Sequence, residues 1–363
     1  MTFNKYRSLK KVNFFIRVDA NKSIGYGHFF RTLVLAEKLK LLGVNVKFIF
    51  NKNQKITEIL KKKKINFFQL NDDKKKGQLN INEIKWLTKE KEKKRVFLII
   101  DHPLADTKYL REAKAISDYL LVFVVDHLKK RYYYGNILIN QNYKAKGEDI
   151  KSGNDSLKLT GSKFILIRNS FLKLRKKNNK QNSIFANFGG ADNLDLSFSL
   201  AKIFTKFFEE SKTKKIKLNL VVGPGYNNFS RIRNFVKNIN GIKIYKNPKN
   251  FNSIMLNSKL AIVAAGSICW ELAHLGILGI IVPVSKNQNR ISEQLHKDKY
   301  FYSIGKKYFS SKNVLINKIK FLFNNYDHIM KNRERKLRTL VDGKGVDRIF
   351  NNIKKVIEKN IIL

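Results

Sequence analysis

From residue 12 onward, short apolar runs rich in β-branched and aromatic residues alternate with amphipathic stretches of helical period. Such a chain builds parallel sheets from βαβ units, because a strand covered by helices on both faces must be hydrophobic throughout. In the first half the pattern predicts strands at 12–18, 44–50, 65–70, 96–100 and 120–125, separated by helices at 28–42, 54–62, 82–91 and 107–116. After Asn140 it loosens into a Lys- and Asn-rich stretch reaching about residue 180, with an apolar island at 164–167, and a domain boundary is expected there. It then resumes with strands at 184–188, 218–222, 242–245, 260–263 and 279–284 and helices at 194–208, 229–237, 251–255, 267–275 and 292–299, followed by a helical tail from 313. The fold class read from this is α/β, two Rossmann-like doubly wound domains facing across a cleft: an N-terminal domain over 12–165, a C-terminal domain over 182–345 and a last helix over 346–363.

The chain has 363 residues, 43% of them hydrophobic and 12% aromatic, enough to offset chain entropy with two cores and to exclude a disordered or collagen-like polymer. Its 74 Lys and Arg against 28 Asp and Glu leave +46, a surplus that ordinarily raises nucleic acid or an anionic membrane as partner. Here the charge is mostly lysine, comes with many Asn and Ile in short runs such as 61–64 and 74–76, and spreads over both halves. That distribution reads as a solvated face with a general preference for anionic ligands, and no specific nucleic-acid partner is expected. One cysteine, Cys269, excludes an internal disulfide framework and a thiolate metal cluster and suits a reducing cytoplasm. The basic start is followed by too short an apolar run for a signal peptide, and the greasiest stretch, 269–284, contains Glu271 and His274. A soluble, cytoplasmic monomer without a transmembrane segment is the expectation.

Polar residues gather at the carboxyl ends of the predicted strands, the edge where open α/β sheets bind ligands. Asp19 follows the first strand, Asp101 and His102 the fourth, and Asp126 and His127 the fifth. In the second half Gly189, Gly190, Ala191 and Asp192 follow one strand, Gly223, Pro224 and Gly225 another, and Ala265, Gly266 and Ser267 a third. Taken singly, each is adequately explained as a turn or cap residue. The densest cluster is Arg17, Asp19, Ser23, Gly25, Gly27, His28 and Arg31. Its glycines permit a sharp turn and close ligand approach, and His28 opens a helix with an imidazole suited to proton transfer. His102 and His127 are weaker candidates, and His274, His296 and His328 lie inside helical patterns where packing suffices. The pairs Asp101 with His102 and Asp126 with His127 offer metal-ligating atoms, but adjacent residues on a continuing strand point in opposite directions, so no metal site is expected. No P-loop, dinucleotide fingerprint or serine nucleophile elbow is present. A second cluster, 264–272 with Asn287 and Gln288, places a small-residue turn before a helix whose free N–H groups suit a diphosphate. Glu271 lies one turn from Ser267 and could accept hydrogen bonds from ribose hydroxyls, or be a single exposed Glu behind a Ser cap.

The string Arg17, Asp19, Ile24, Gly25, Tyr26, Gly27, His28, Arg31, with Leu35 and Ala36 behind it, resembles the N-terminal motif of the UDP-sugar hydrolases of pseudaminic acid biosynthesis, and related spore-coat polysaccharide proteins share it. The match continues in order through Asp101 and His102, 164–171, 188–192, 265–271, Asn287 with Gln288, and Asp342, Gly343, Lys344, Gly345, Asp347, Arg348 and Ile349. The resemblance implies a glycosyltransferase B architecture of MurG-like type and inverting, metal-independent hydrolysis of a UDP-linked diacetamido trideoxy sugar, serving flagellin or surface glycan modification. It makes His28 the general base. It puts Arg17, Asp19, Gly25, Gly27, Arg31, Asp101, His102, Asn287 and Gln288 on the substrate, and Gly189, Gly190, Gly266, Ser267 and Glu271 on UDP. No cofactor is implied. Many relatives carry Tyr after the Asp-His pair where this chain has Pro103, which bears on the sugar accepted. The residues before 12 and the Lys-rich stretches near Lys74 and Asn178 read as decoration. Rival readings are a UDP-sugar-dependent glycosyltransferase, a binding module that merely senses a nucleotide sugar, and a basic nucleic-acid-binding protein.

Overall fold

The computed structural model describes residues 6–21, 24–70, 79–125, 131–174, 181–210, 216–305 and 311–359. The chain divides into two compact units, one comprising Met1–Arg168 with Gly343–Leu363 and the other Asn169–Asp342.

The first unit carries strands β1 (Asn13–Arg17), β2 (Val46–Asn51), β3 (Asn66–Leu70), β4 (Val96–Ile100), β5 (Tyr119–Phe123), β6 (Tyr132–Tyr133), β7 (Ile137–Asn140), β8 (Lys151–Ser152) and β9 (Leu157–Thr160). Seven of them form one sheet in the order β3-β2-β1-β4-β5-β7-β9, with every pairing parallel. The two-residue period of a strand divides its residues between the faces: Phe14, Ile16, Phe97 and Ile99 enter one core, Phe15, Val96, Leu98 and Ile100 the other. The sequence reading stopped at β5, whereas β7 and β9 continue the sheet, β9 within the stretch after Asn140 expected to be irregular. Both are four residues long, too short for periodicity to separate them from loop. The segment expected at 82–91 as one helix is a 3-10 turn, Ile81–Glu83, followed by the helix Leu87–Lys93.

The last helix, Gly345–Lys359, belongs to this unit. Its Val346, Ile349, Phe350, Ile353 and Ile357 join the core together with Tyr6 and Leu9. The turn Arg7–Lys11 is thus not decoration: Leu9 is wholly buried, and the Tyr6 hydroxyl donates to Asn351 Oδ1 at 3.0 Å. Gly345 is demanded by a close approach, since a Cβ there would lie 2.1 Å from the Ile165 carbonyl oxygen. The stretches near Lys74 and Asn178 lie outside the described residues.

The second unit holds β10 (Gln181–Asn187), β11 (Lys217–Val222), β12 (Ile242–Lys246), β13 (Ser258–Ala264), β14 (Leu278–Val282) and β15 (Tyr302–Ser303), parallel throughout in the order β12-β11-β10-β13-β14-β15. In each sheet the strand order reverses beside its first strand, at β1/β4 and at β10/β13, and the carboxyl ends there are the expected ligand-binding edges. Among the described residues no helix is long and apolar enough to cross a membrane.

Candidate functional site

At the β1/β4 switch point the chain leaves β1 through Arg17, Val18 and Asp19 and turns at Asn21, whose side-chain oxygen accepts from Ile24 N–H and whose carbonyl accepts from Gly25 N–H, both at 2.8 Å. Gly25 sits at φ +78°, where a side chain would be strained. The helix Gly27–Leu41 starts two residues later, so His28 and Arg31 share its first turns and one face. Gly27 is exposed, and a Cβ on it would meet nothing within 4 Å, which leaves open space beside His28.

Asp101, the first residue after β4, is wholly buried and receives this face. His28 Nδ1 lies 2.6 Å from its Oδ1, and Arg31 forks onto both carboxylate oxygens through Nε and Nη2. Burial alone would raise the Asp101 carboxyl, but the Arg31 guanidinium and the His28 ring outweigh it and hold the group at about 2. The carboxylate is therefore ionised at neutral pH and can only accept, so a hydrogen bond between it and the ring puts the proton on Nδ1; Arg31 Nη2, itself a donor, lies 3.1 Å from Nδ1 and also donates to Asp101 Oδ1. The lone pair is left on Nε2, which has no partner among the described residues, on a side chain 21% exposed. Arg31 is steadied by the Phe123 ring, its Cζ 4.7 Å from the centroid.

Behind this pair lies a second, closed network. Arg17 is fully buried, with Nη1 donating to Asp19 Oδ1 at 2.7 Å, Nη2 to Asp19 Oδ2 at 3.1 Å, and Nε to Glu83 Oε1 at 2.7 Å. Asp19 also accepts from Asn51 N–H at 2.8 Å and from His102 Nε2–H at 2.9 Å. His102 Nδ1 accepts Leu104 N–H at 3.1 Å, which fixes the ring as the neutral Nε2–H tautomer. Burial pushes the His102 pKa down, in keeping with that tautomer. The Asp19 carboxyl is held well below the usual range against the opposing pull of burial, by its bonds from His102 and Arg17. Of the residues expected on the substrate, Arg17 and His102 are buried, and both nitrogens of the His102 ring are engaged within the protein. Arg17 ends β1 with the inward parity of Phe15, and its task is to hold Asp19 in place. Glu83, Tyr109 and Asn51 complete the network, Tyr109 donating to Glu83 Oε1 at 2.9 Å. They escaped the sequence reading because they come from three separate segments; only Asn51, at the carboxyl end of β2, carried a positional signal. Ser23, Asp126 and His127 lie outside the described residues.

The second unit presents its own edge. Gly189, at φ +96°, follows β10, and its N–H donates to Asn187 Oδ1 at 3.1 Å. Gly190 is pressed against the loop after β11: Gly225 N–H donates to its carbonyl at 2.7 Å, and a Cβ on Gly223 would lie 2.5 Å from the Gly190 Cα. Two glycine pairs thus interlock, backbone on backbone. After β13, half-buried Gly266 and exposed Ser267 lead into the helix Ile268–Leu275, where Ser267 makes no side-chain cap bond. Glu271 is buried at 7% exposure in the first turn of that helix, a position a carboxylate favours, and is not the exposed residue of the simpler reading. Burial, with Glu271 nearby, raises the Cys269 thiol and leaves it inert. The helix expected at 292–299 begins earlier, at Lys286, so Asn287 and Gln288 occupy its first turn. Gln288 Oε1 accepts Val284 N–H at 2.9 Å, and its Nε2 lies 3.7 Å from where a Gly266 Cβ would be. The edge therefore gathers Gly266, Ser267 and Gln288 in one place. His274 and His296 spend Nδ1 on backbone partners, Val341 carbonyl and Ser303 N–H.

Two parallel Rossmann-like units of this order define a glycosyltransferase B fold, and the solved structures agree. The chain superposes on MurG of Acinetobacter baumannii with a TM-score of 0.64 over 94% of this chain and 99% of that one, at 13% identity. The model of the glycosyltransferase family 28 C-terminal domain matches residues 197–346. This is a glycosyltransferase-B-type protein similar to the UDP-2,4-diacetamido-2,4,6-trideoxy-beta-L-altropyranose hydrolase of Campylobacter jejuni, with which it is 27% identical over 78% of this chain and 96% of that protein. It is also 27% identical, over 80% of its length, to an uncharacterized protein of Methanocaldococcus jannaschii, of which it spans 58%.

Proposed function

We propose that this protein hydrolyses a UDP-linked diacetamido trideoxy sugar to free sugar and UDP, in the supply of a nonulosonic acid such as pseudaminic acid to flagellin or another surface glycan. The observation that carries this reading is the His28 ring, with Nδ1–H bound to an ionised, buried Asp101 and Nε2 left as a base. Likeness to the Campylobacter hydrolase supports it. In this mechanism a water donates its proton to Nε2 as its oxygen attacks the anomeric carbon. The bond from that carbon to the diphosphate oxygen breaks, the electron pair leaves on UDP, and the anomeric configuration inverts. Because UDP departs as a stabilised anion, the protein's contribution is to aim the water and to meet the diphosphate charge. Asp101 and Arg31 hold the base, and Asp19 shapes the edge beside it. Gly25 and Gly27 admit the sugar. Gly189, Gly190, Gly266 and Ser267 line the nucleotide, Asn287 and Gln288 meet the diphosphate or sugar, and Glu271 accepts from the ribose hydroxyls. No metal is invoked, since N–H groups and basic side chains can carry the leaving-group charge.

A second reading, transfer of the sugar to an acceptor hydroxyl, draws on the family 28 match over 197–346 and uses the same base. One experiment separates the two: UDP release from a panel of UDP-diacetamido trideoxy sugars and UDP-N-acetylglucosamine, without acceptor or added metal. Release of UDP with free sugar, abolished by His28→Ala while UDP still binds, is the expected result. UDP binding without release in the wild type would favour transfer, and undiminished release by His28→Ala would remove His28 from the mechanism.

A further inference from the structure

Away from the carboxyl edge, at the opposite end of the first sheet, β3 has a free side: among the described residues it pairs only with β2. A groove opens around the start of this strand, lined by Lys47, Lys61 and Lys64 and by Asn66, Phe68 and Trp86, with no acidic side chain among the described residues of its lining. None of the three lysines forms an ion pair among the described residues, whereas neighbouring Lys63 is paired with Glu37. Phe68 is 47% exposed and leans on Trp86, with ring centroids 5.3 Å apart. Trp86 is anchored from beneath by Phe15 and by its indole N–H, which donates to the Glu83 carbonyl at 3.1 Å. A rigid aromatic pair, unpaired cations and an unpaired strand edge thus share one place.

Lysines beside an edge strand commonly serve to repel other edges. That role explains the lysines but leaves the exposed Phe68 and the concave shape unexplained. The surplus of +46 disfavours a second copy of this chain as occupant and favours an acidic one. Nucleic acid would use the lysines and Phe68, but it cannot complete a backbone ladder, and a base-stacking platform needs several open aromatic faces where this groove offers one. We propose that the β3 edge and its groove dock an acidic, extended segment of another protein, which adds as an eighth strand and seats an apolar side chain against Phe68 and Trp86.

The test is fluorescence anisotropy of the full chain with a labelled peptide of about eight residues, alternating Glu and Val with one central Phe. Binding should weaken about tenfold in Phe68→Ser and in the double variant Lys61→Glu with Lys64→Glu, while the circular dichroism spectrum and the urea unfolding curve stay unchanged as the folding control. The double variant Lys331→Glu with Arg335→Glu, an equal charge change in the other unit, should alter peptide binding less than about twofold. A peptide of the same length and charge with Pro in place of Val at two ladder positions should also bind about tenfold more weakly, because Pro donates no N–H. Equal loss in the Lys331 and Arg335 variant would reduce the effect to bulk charge, and equal binding of the Pro peptide would exclude strand addition. Tighter binding of single-stranded RNA or of phosphatidylserine vesicles, sensitive to the same groove substitutions, would assign the surface to that partner instead. Each of these three outcomes overturns the proposal.

Discussion

Replacing Asp101 by Asn preserves size and shape and removes only the charge, so it isolates what the buried carboxylate does for His28. The carboxylate accepts three hydrogen bonds, one from His28 Nδ1 and two from Arg31. An amide offers one oxygen and one NH2 to three donors, and whichever way it turns an NH2 meets an N–H. With the oxygen kept at the Oδ1 position the NH2 meets Arg31 Nε, and the imidazolium formed on proton transfer loses its counter-charge; with the oxygen turned to Nε the NH2 faces His28 Nδ1 and Arg31 Nη2. The second arrangement moves the ring proton to Nε2 and leaves no lone pair for water. The analogous change in serine-protease triads lowers kcat about 10⁴-fold, and a loss of about 10³ to 10⁴ is expected here, equivalent to about 4 to 5 kcal/mol in the barrier. Losing the charge-assisted bonds should also lower stability by about 2 to 3 kcal/mol. The assay is steady-state UDP release, with UDP affinity measured by calorimetry, which should not change. Because Asp101 acts through His28, the double variant with His28→Ala should be no slower than His28→Ala alone. A kcat for Asp101→Asn within about tenfold of wild type would refute the tautomer argument.

Other consequences follow from the same geometry. Arg17→Met takes the guanidinium from buried Asp19 and half-buried Glu83 and should destabilise the first unit by about 3 to 5 kcal/mol, far more than a surface Arg; an unfolding free energy from urea within about 0.5 kcal/mol of wild type would refute the network. The Asp101 carboxyl is depressed from 3.8 to about 2, so its contribution to stability, about 2 kcal/mol, is complete above about pH 4 and fades as pH falls toward 2. Urea titrations at pH 5 and pH 3 should therefore show a smaller acid loss in Asp101→Asn than in wild type, and equal losses would contradict the assignment. Gly223→Ala forces the Gly190 backbone to move, and Glu271→Ala removes the proposed ribose acceptor; each should weaken UDP binding at least about tenfold with the His28 network intact, and unaltered calorimetric affinity would exclude that role.

The fold class was legible in the sequence because continuous runs such as Val96 to Ile100 have one physical use, a strand buried on both faces. The switch-point residues were legible for a related reason: polar side chains placed immediately after such runs must fall on the carboxyl edge, and His28 followed from two glycines and a helix start. What sequence could not supply was distance. Nothing local relates Arg17 to Glu83, or Gly223 to Gly190, since packing between elements remote in the chain alone brings them together. Tertiary structure also decided which polar residues face outward. In the folded chain Arg17 is bonded to Asp19 and Glu83 and His102 to Asp19 and Leu104, whereas His28 Nε2 has no partner among the described residues. The sequence by itself determined two parallel sheets and the edge at which the polar residues gather; tertiary structure decided which of the gathered groups holds the others, because hydrogen-bond valence is allotted only when all the partners are in place.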